Sequence, residues 1–215
     1  MNGNFVVDVW SDVVCPFCYL GTRQLADALT HFEHRNEVII RHRAFELDRN
    51  TPLHSERSLT ELIARKYSMP VERVHEMHAR IEGEARELGM EWSFDTVQPT
   101  NSFDAHRVIA LGSSQGLGDE IAQRLFRAYF SEGQVISDHQ CLAELSLEVG
   151  ITGVDELWSS EVFVKEVRAD ENAAEELGIT GVPCLLLDGK FMVVGARGAH
   201  EILDVLRRAW ARSAA

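Results

Sequence analysis

Apolar and polar positions change period twice along this chain, and those changes divide it into elements. Phe5-Val6-Val7-Asp8-Val9-Trp10 is nearly all apolar and valine-rich, as a strand buried on both faces should be. A helix then opens at Pro16, a residue suited to a first helical turn, with Leu20, Leu25, Leu29 and Phe32 on its buried side. Val38–Phe45 reads as a second strand, and Asn50-Thr51-Pro52 breaks the chain after it. From about Ser58 to Leu177 the period is helical throughout. Ser58-Leu59-Thr60-Glu61 and Ser137-Asp138-His139-Gln140 read as capping boxes. Between them, Val71–Leu88 should stop at Gly89 and Phe103–Leu111 at Gly112. Asp119–Phe130 carries Ile121, Leu125 and Ala128 at helical spacing. Leu142, Leu145 and Val149 repeat the pattern before Gly150, and a helix over Ser160–Leu177 should stop at Gly178. The period then returns to that of strands. Cys184–Leu187 and Phe191–Val194 flank Asp188-Gly189, a strong hairpin signal, and Ala199–Ala211 closes the chain as a helix.

The order is therefore strand, helix, strand, helical block, hairpin, helix. Residues 1–57 and 178–215 form one α/β core of the βαβ…ββα kind, and 58–177 form a helical insertion continuous with it. Composition changes this picture little: 215 residues, 45% hydrophobic and 26% charged, are ordinary for a soluble globular chain. A chain of this length buries roughly 70% of its unfolded surface and needs no disulfide staples. Its four cysteines are too sparse for a secreted disulfide scaffold. The net charge of −13 argues against nucleic acid, whose phosphates are held by clustered Lys and Arg, and serves solubility instead. Met1-Asn2-Gly3-Asn4 has no basic start of the signal-peptide kind, and no run approaches the ~18 apolar residues of a membrane span. The expectation is a cytoplasmic protein with no membrane partner; a chain whose signal had been removed would read the same.

Candidate chemistry concentrates on Cys15-Pro16-Phe17-Cys18, where the first strand gives way to the first helix. Cys15 lies at the helix N-terminus, where unpaired N–H groups and the macrodipole favour a thiolate. Pro16 sets the turn without removing a helical hydrogen bond. Cys18, three residues on, shares the helical face of Cys15 within disulfide reach. Such a pair attacks a disulfide through an exposed Cys15 and resolves the mixed intermediate through Cys18. Two other readings stay open at this point. Half of a zinc site would need two further ligands, and Cys141 and Cys184 stand alone; two inert core cysteines are the other. The pairs His31/His34 and His75/His78 fall on helical faces that read as polar and solvated.

Gly178-Ile179-Thr180-Gly181-Val182-Pro183 precedes the hairpin, and a proline there marks an edge or a special turn. Combined with the cysteine pair, it resembles the cis-proline loop of thioredoxin-fold proteins. That resemblance implies a cis Pro183 beside the cysteines and a Val182 backbone offered to extended substrate. The helical insertion is similar to that of the DsbA family, in its FrnE-like branch, whose relatives include 2-hydroxychromene-2-carboxylate isomerase and kappa-class glutathione transferase. Carrying the resemblance are Ser11-Asp12-Val13-Val14-Cys15-Pro16-Phe17-Cys18-Tyr19-Leu20-Gly21, Asn101-Ser102-Phe103-Asp104-Ala105-His106-Arg107, Phe126-Arg127-Ala128-Tyr129-Phe130 and Gly181-Val182-Pro183.

The resemblance implies a DsbA-like thioredoxin fold and a thiol–disulfide oxidoreductase or disulfide isomerase. Cys15 and Cys18 would be catalytic, and Pro16, Phe17, Val182 and Pro183 would bind substrate. Asn101, His106, Arg197 and Cys184 are secondary candidates. Cys184 reads as either a core thiol or a third redox thiol, Cys141 as a core thiol, and His106 as either an acid–base group or a packing residue. In the isomerase and transferase branch a serine stands at the place of Cys15, so a glutathione-dependent isomerase or transferase on an aromatic or polyketide-like substrate is the alternative. A redox-inert binding module is a third. The chain departs from the FrnE-like pattern at Cys184, usually aromatic, and at Gly195-Ala196-Arg197, usually Gly-Ala-Gln. Phe17 replaces the histidine of DsbA, which implies a less oxidising protein. Expected partners are a disulfide-bearing protein or small molecule and a recycling thiol reductant or oxidant. Neither a metal nor a cofactor is implied beyond the Cys15–Cys18 disulfide, with glutathione as a candidate co-substrate. The oligomeric state stays open, a homodimer included.

Overall fold

In a computed structural model that describes residues 5–213, strand β1 (Phe5–Ser11) is an inner strand of a four-stranded sheet of order β2–β1–β3–β4. Met1–Asn4, on which the reading of the N-terminus rests, lie outside the described residues. β2 (Val38–Ala44) runs parallel to β1, with Phe5 opposite Val38 and Ser11 opposite Ala44. β3 (Cys184–Leu187) is antiparallel to β1, with Val7 opposite Leu187 and Trp10 opposite Cys184, and β4 (Phe191–Val194) pairs antiparallel with β3. Helix α1 (Pro16–Thr30) links β1 to β2, and α9 (Ala199–Ser213) follows β4.

Burial of β1 on both faces explains its apolar run, which Asp8 interrupts. Phe5, Val7 and Val9 join Leu185, Leu187 and Val193 on one face, under Leu25, Ala28 and Phe32 and under Ile202, Leu206 and Ala209 of α9. Trp10 and Cys184 pack on Ala174 and Ile179 in a separate cluster. Both faces are covered, and the second also carries Asp8, paired with Arg41 and Arg43 of β2. The turn between β3 and β4 has positive φ at Asp188 (50°) and Gly189 (67°), as the Asp-Gly pair predicted.

Between β2 and β3 the chain is helical: α2 (Leu59–Lys66), α3 (Val71–Glu87), α4 (Phe103–Ser114), α5 (Gly118–Phe130), α6 (His139–Val149), α7 (Asp155–Trp158) and α8 (Val164–Glu176). Its core is joined to the N-terminal end of α1. Tyr19 stacks on Phe126 at 5.2 Å and Trp92 at 5.1 Å, while Cys18 and Leu20 are buried in the same cluster. Ser58 caps α2 in a full capping box with Glu61.

Several expectations are corrected. The second cap is Asp138 rather than Ser137: its carboxylate accepts the Gln140 and Cys141 amides, whereas the Ser137 hydroxyl donates to the Leu53 carbonyl. The second strand stops at Ala44, whose N–H is taken by Asp170 rather than by a further ladder bond. Helix α4 passes through Gly112 and ends at Ser114, with Gly116 (φ 77°) in the left-handed position after its Gln115 cap. Gly112 is needed for packing instead, since a Cβ there would lie 2.7 Å from Ile121 and 2.9 Å from Ile151. The stretch Ser160–Leu177 is not one helix. The buried Arg107 guanidinium donates to the carbonyls of Leu157, Ser160 and Val162, holding that stretch as a loop, and Phe163 turns through φ 61° before α8 begins. His78 is buried and stacked on Phe94 at 4.0 Å rather than solvated, and burial lowers its pKa.

Gly112→Val should destabilise the protein by about 1–3 kcal/mol through overpacking of α4 on α5. Urea unfolding should show a lower midpoint at unchanged m-value.

Candidate active site

The end of β1 aims the chain at α1, and Cys15 takes the N-cap position with extended backbone (φ −95°, ψ 116°). Pro16 follows as the first helical residue, no side chain caps the helix, and its first turn has no acidic residue. The sulfur therefore stands at a helix N-terminus with no competing anion in that turn. The Cys15 amide donates to the Asp12 carbonyl (3.0 Å), closing the turn that links strand to helix.

Val182–Pro183 is a cis peptide, and the Val182 carbonyl lies 3.8 Å from Cys15 Sγ as its acceptor. The loop is held from two sides. The Gly195 amide donates to the Pro183 carbonyl (2.8 Å), and Pro183 Cγ sits 2.9 Å from where a Cβ on Gly21 would lie. Only a glycine at that turn of α1 lets the proline approach so closely.

The expectation of an exposed Cys15 is corrected: it is 4% exposed, enclosed within the apolar cluster that Val13 and Val182 share. Cys18 is fully buried, and its pKa is pushed well up by that burial and by hydrogen bonding to Cys15. All four cysteines are free thiols. Phe17 is the most exposed residue of the motif and Pro16 is half-buried.

The secondary candidates separate. Cys184 is buried against Trp10, Ala174 and Ile179, its pKa pushed up to about 11 by burial. Cys141 is half-buried at the edge of the helical core, also raised to about 11 by burial and by Asp138 and Glu144. Asn101 braces a loop: its amide donates to Glu46 and the Thr51 carbonyl, and its oxygen accepts the Phe103 amide. Arg197 is exposed and donates to the Val194 carbonyl. His106 is buried, with Nε2 3.5 Å from Asp12 Oδ1.

Asp12 was missed by sequence reasoning. Its side chain is 1% exposed and accepts the amides of Val14 (3.3 Å) and Leu47 (2.7 Å). An acid inside an apolar run was the available signal. Glu46, Arg168 and Glu171 were missed too. Arg168 bridges both carboxylates at 2.6 and 2.7 Å; Arg168 and Glu171 are an i,i+3 pair on α8, whereas no local pattern links either to Glu46. Among the described residues no group of His, Cys, Asp or Glu is arranged to hold a metal ion.

A model of the DsbA-like thioredoxin domain matches residues 6–207. The chain belongs to the DsbA family. It is 29% identical over 196 residues to the uncharacterized protein YwbO of Bacillus subtilis, covering 89% of this chain and 90% of the other. A probable DsbA oxidoreductase from Streptomyces coelicolor superposes with a TM-score of 0.91 at 31% identity, over 97% of this chain and 91% of that one. A 2-hydroxychromene-2-carboxylate isomerase (TM-score 0.68, 21% identity, 97% and 96% covered) shares the fold. So does the cytosolic disulfide reductase DsbM of Pseudomonas aeruginosa, solved with GSH (0.62, 20%, 96% of each). The DsbA family is one of thiol–disulfide oxidoreductases, and these neighbours are consistent with its FrnE-like branch. No helix among the described residues is long and apolar enough to cross a membrane.

Because only thiolates alkylate, Cys141 and Cys184 in this DsbA-family chain should react with iodoacetamide at pH 7.5 about a hundredfold more slowly than a free thiol. Site-resolved mass spectrometry of the folded, reduced protein checks this.

Proposed function

We propose that the protein is a dithiol–disulfide oxidoreductase acting as a reductase or disulfide isomerase, with Cys15 as nucleophile and Cys18 as resolving thiol. The observation that carries this is the seat of Cys15: at the N-terminus of α1, with its sulfur against the Val182 carbonyl and Cys18 buried behind it.

The α1 N-terminus places positive potential where the attacking sulfur carries its charge. Cys15 thiolate attacks one sulfur of a substrate disulfide, forming a mixed disulfide and releasing the other sulfur as a thiolate. Cys18 then loses its proton and attacks Cys15 Sγ, which frees the substrate and leaves a Cys15–Cys18 disulfide. The substrate gains two electrons, and a thiol reductant must restore the pair. Burial and the neighbouring sulfur hold Cys18 as a thiol, so it acts second, once Cys15 is part of the mixed disulfide.

Substrate lies along the Val182 backbone, flanked by Pro16, exposed Phe17 and Pro183, with entry requiring movement around the enclosed Cys15. Arg197, two residues past the Gly195 amide that holds Pro183, adds a positive charge to this rim. The absence of a histidine at Phe17 removes one stabiliser of the thiolate and supports a reducing role in the cytoplasm. The DsbM neighbour, solved with GSH, supports glutathione as recycling co-substrate.

Wild type should reduce insulin disulfides, and Cys15→Ser should abolish this, whereas Cys18→Ser should accumulate a mixed disulfide on Cys15 visible by mass spectrometry. If wild type is inactive yet binds glutathione tightly, the isomerase or transferase reading replaces this one. The Cys15–Cys18 potential, read against glutathione buffers, should lie well below the roughly −120 mV of DsbA.

A further inference from the structure

An open cavity of about 260 Å³ lies where α1, β2 and α5 meet, and none of Cys15, Cys18, Val182 and Pro183 borders it. Strand alternation lays down one wall. Val9 of β1 stands opposite His42 of β2, and Ile40 is two residues before His42, so all three side chains point to the α1 side of the sheet. Leu25, Ala26 and Leu29 of α1 form the other wall. Such walls suit an apolar body.

His42, Asp119 and Arg35 break that apolar lining. The His42 side chain is 4% exposed, and its Nε2 lies 3.1 Å from Asp119 Oδ1. An ionised carboxylate only accepts, so Nε2 carries a proton and Nδ1 is the free nitrogen. Nδ1 is buried and has no hydrogen-bond partner among the described residues. A buried nitrogen left unbonded is unfavourable, and a ligand that bonds it removes that penalty. His42 also borders a cavity of about 20 Å³, which has room for no more than one water.

The charges around the larger cavity do not balance. Asp119 is answered by His42, which holds its carboxyl below the usual range. Arg35, in the short turn Arg35–Glu37 ahead of β2, makes no ion pair among the described residues; its neighbour Glu37 pairs with His34 instead. An unanswered cation thus stands at an apolar cavity in a chain whose net charge is −13.

We propose that this cavity binds a small monocarboxylate, its carboxylate between Arg35 and His42 Nδ1 and its apolar body against Val9, Leu25, Leu29 and Ile40. With a proton on each nitrogen, the His42 ring bridges two carboxylates, Asp119 at Nε2 and the ligand at Nδ1, and Arg35 offsets the remaining charge. At the roughly 30 Å³ that a water-sized group takes in a liquid, the cavity holds about eight or nine non-hydrogen atoms, the size of hexanoate or benzoate. An alcohol of that length would satisfy His42 and leave Arg35 unanswered. An amine would meet Arg35 with like charge. The proposal goes beyond the dithiol reading and stands apart from it, since no cysteine takes part.

Isothermal titration of the full reduced chain at pH 7 with hexanoate, hexan-1-ol and 1-aminohexane tests the site. Hexanoate should saturate a single site, with the alcohol and the amine at least about tenfold weaker, the difference that one charge-assisted hydrogen bond makes. Arg35→Gln should weaken hexanoate about tenfold and leave the alcohol unchanged. Ala26 is an exposed residue at the cavity mouth, so Ala26→Phe should keep a wild-type melting temperature, fill the space and abolish hexanoate binding. Cys15→Ser should bind hexanoate as wild type does, whatever becomes of its redox activity. The absence of saturable hexanoate binding overturns the proposal. An alcohol that binds as tightly as hexanoate also sinks it, because the cavity then has no seat for an anion. Tighter binding of the amine would hand the site to Asp119, and hexanoate binding untouched by Ala26→Phe would place the ligand elsewhere; either result refutes it.

Discussion

The site depends on α1 being held from both sides at once. Leu25 and Ala28 lie against the sheet and α9, while Tyr19 and Leu20, one turn after Cys15, are locked into the helical core. A helix held only by the sheet would be free to shift along its axis. With aromatic stacking at its first turn and aliphatic packing further on, its N-terminus is fixed against the Val182–Pro183 loop. Gly21 belongs to the same constraint, since it is the gap through which Pro183 reaches the helix. The helical block is therefore the second jaw of the clamp.

Buried charge is the other cost of this arrangement, and it is met by pairing. Asp8 takes both Arg41 and Arg43, Arg43 reaches Asp170, and Arg168 joins Glu46 to Glu171. The network binds α8 to β2 and to the loop after it. Such pairs add little net stability, but breaking one leaves a buried charge uncompensated. They specify where α8 lies, and so what surrounds His106. Asp12 is the exception, with two amides and a histidine 3.5 Å away but no arginine.

Much of the fold was legible because its signals are local. The apolar run of β1, the Ser58–Glu61 box and the Asp-Gly turn each act within a few residues, and each stands where expected. The errors have a common origin in distant partners. Gly112 carries a helix-stop signal, yet Gly116 provides the stop and Gly112 admits Ile121 and Ile151. The stretch before Val164 has helical period, yet Arg107, more than fifty residues earlier, takes its carbonyls. His78 looked solvated until Phe94 covered it.

The same division holds at the active site. The sequence by itself determined the two cysteines, their place where a strand becomes a helix, and the proline loop to which they belong. It did so because turn and cap chemistry is encoded within a few residues of where it acts. Only the tertiary structure decided that Cys15 is enclosed rather than exposed, that Cys18 is wholly buried, and that Asp12 and His106 are buried 3.5 Å apart. Burial and electrostatic environment are properties of what surrounds a group, and here the surroundings come from elements more than a hundred residues apart in the chain.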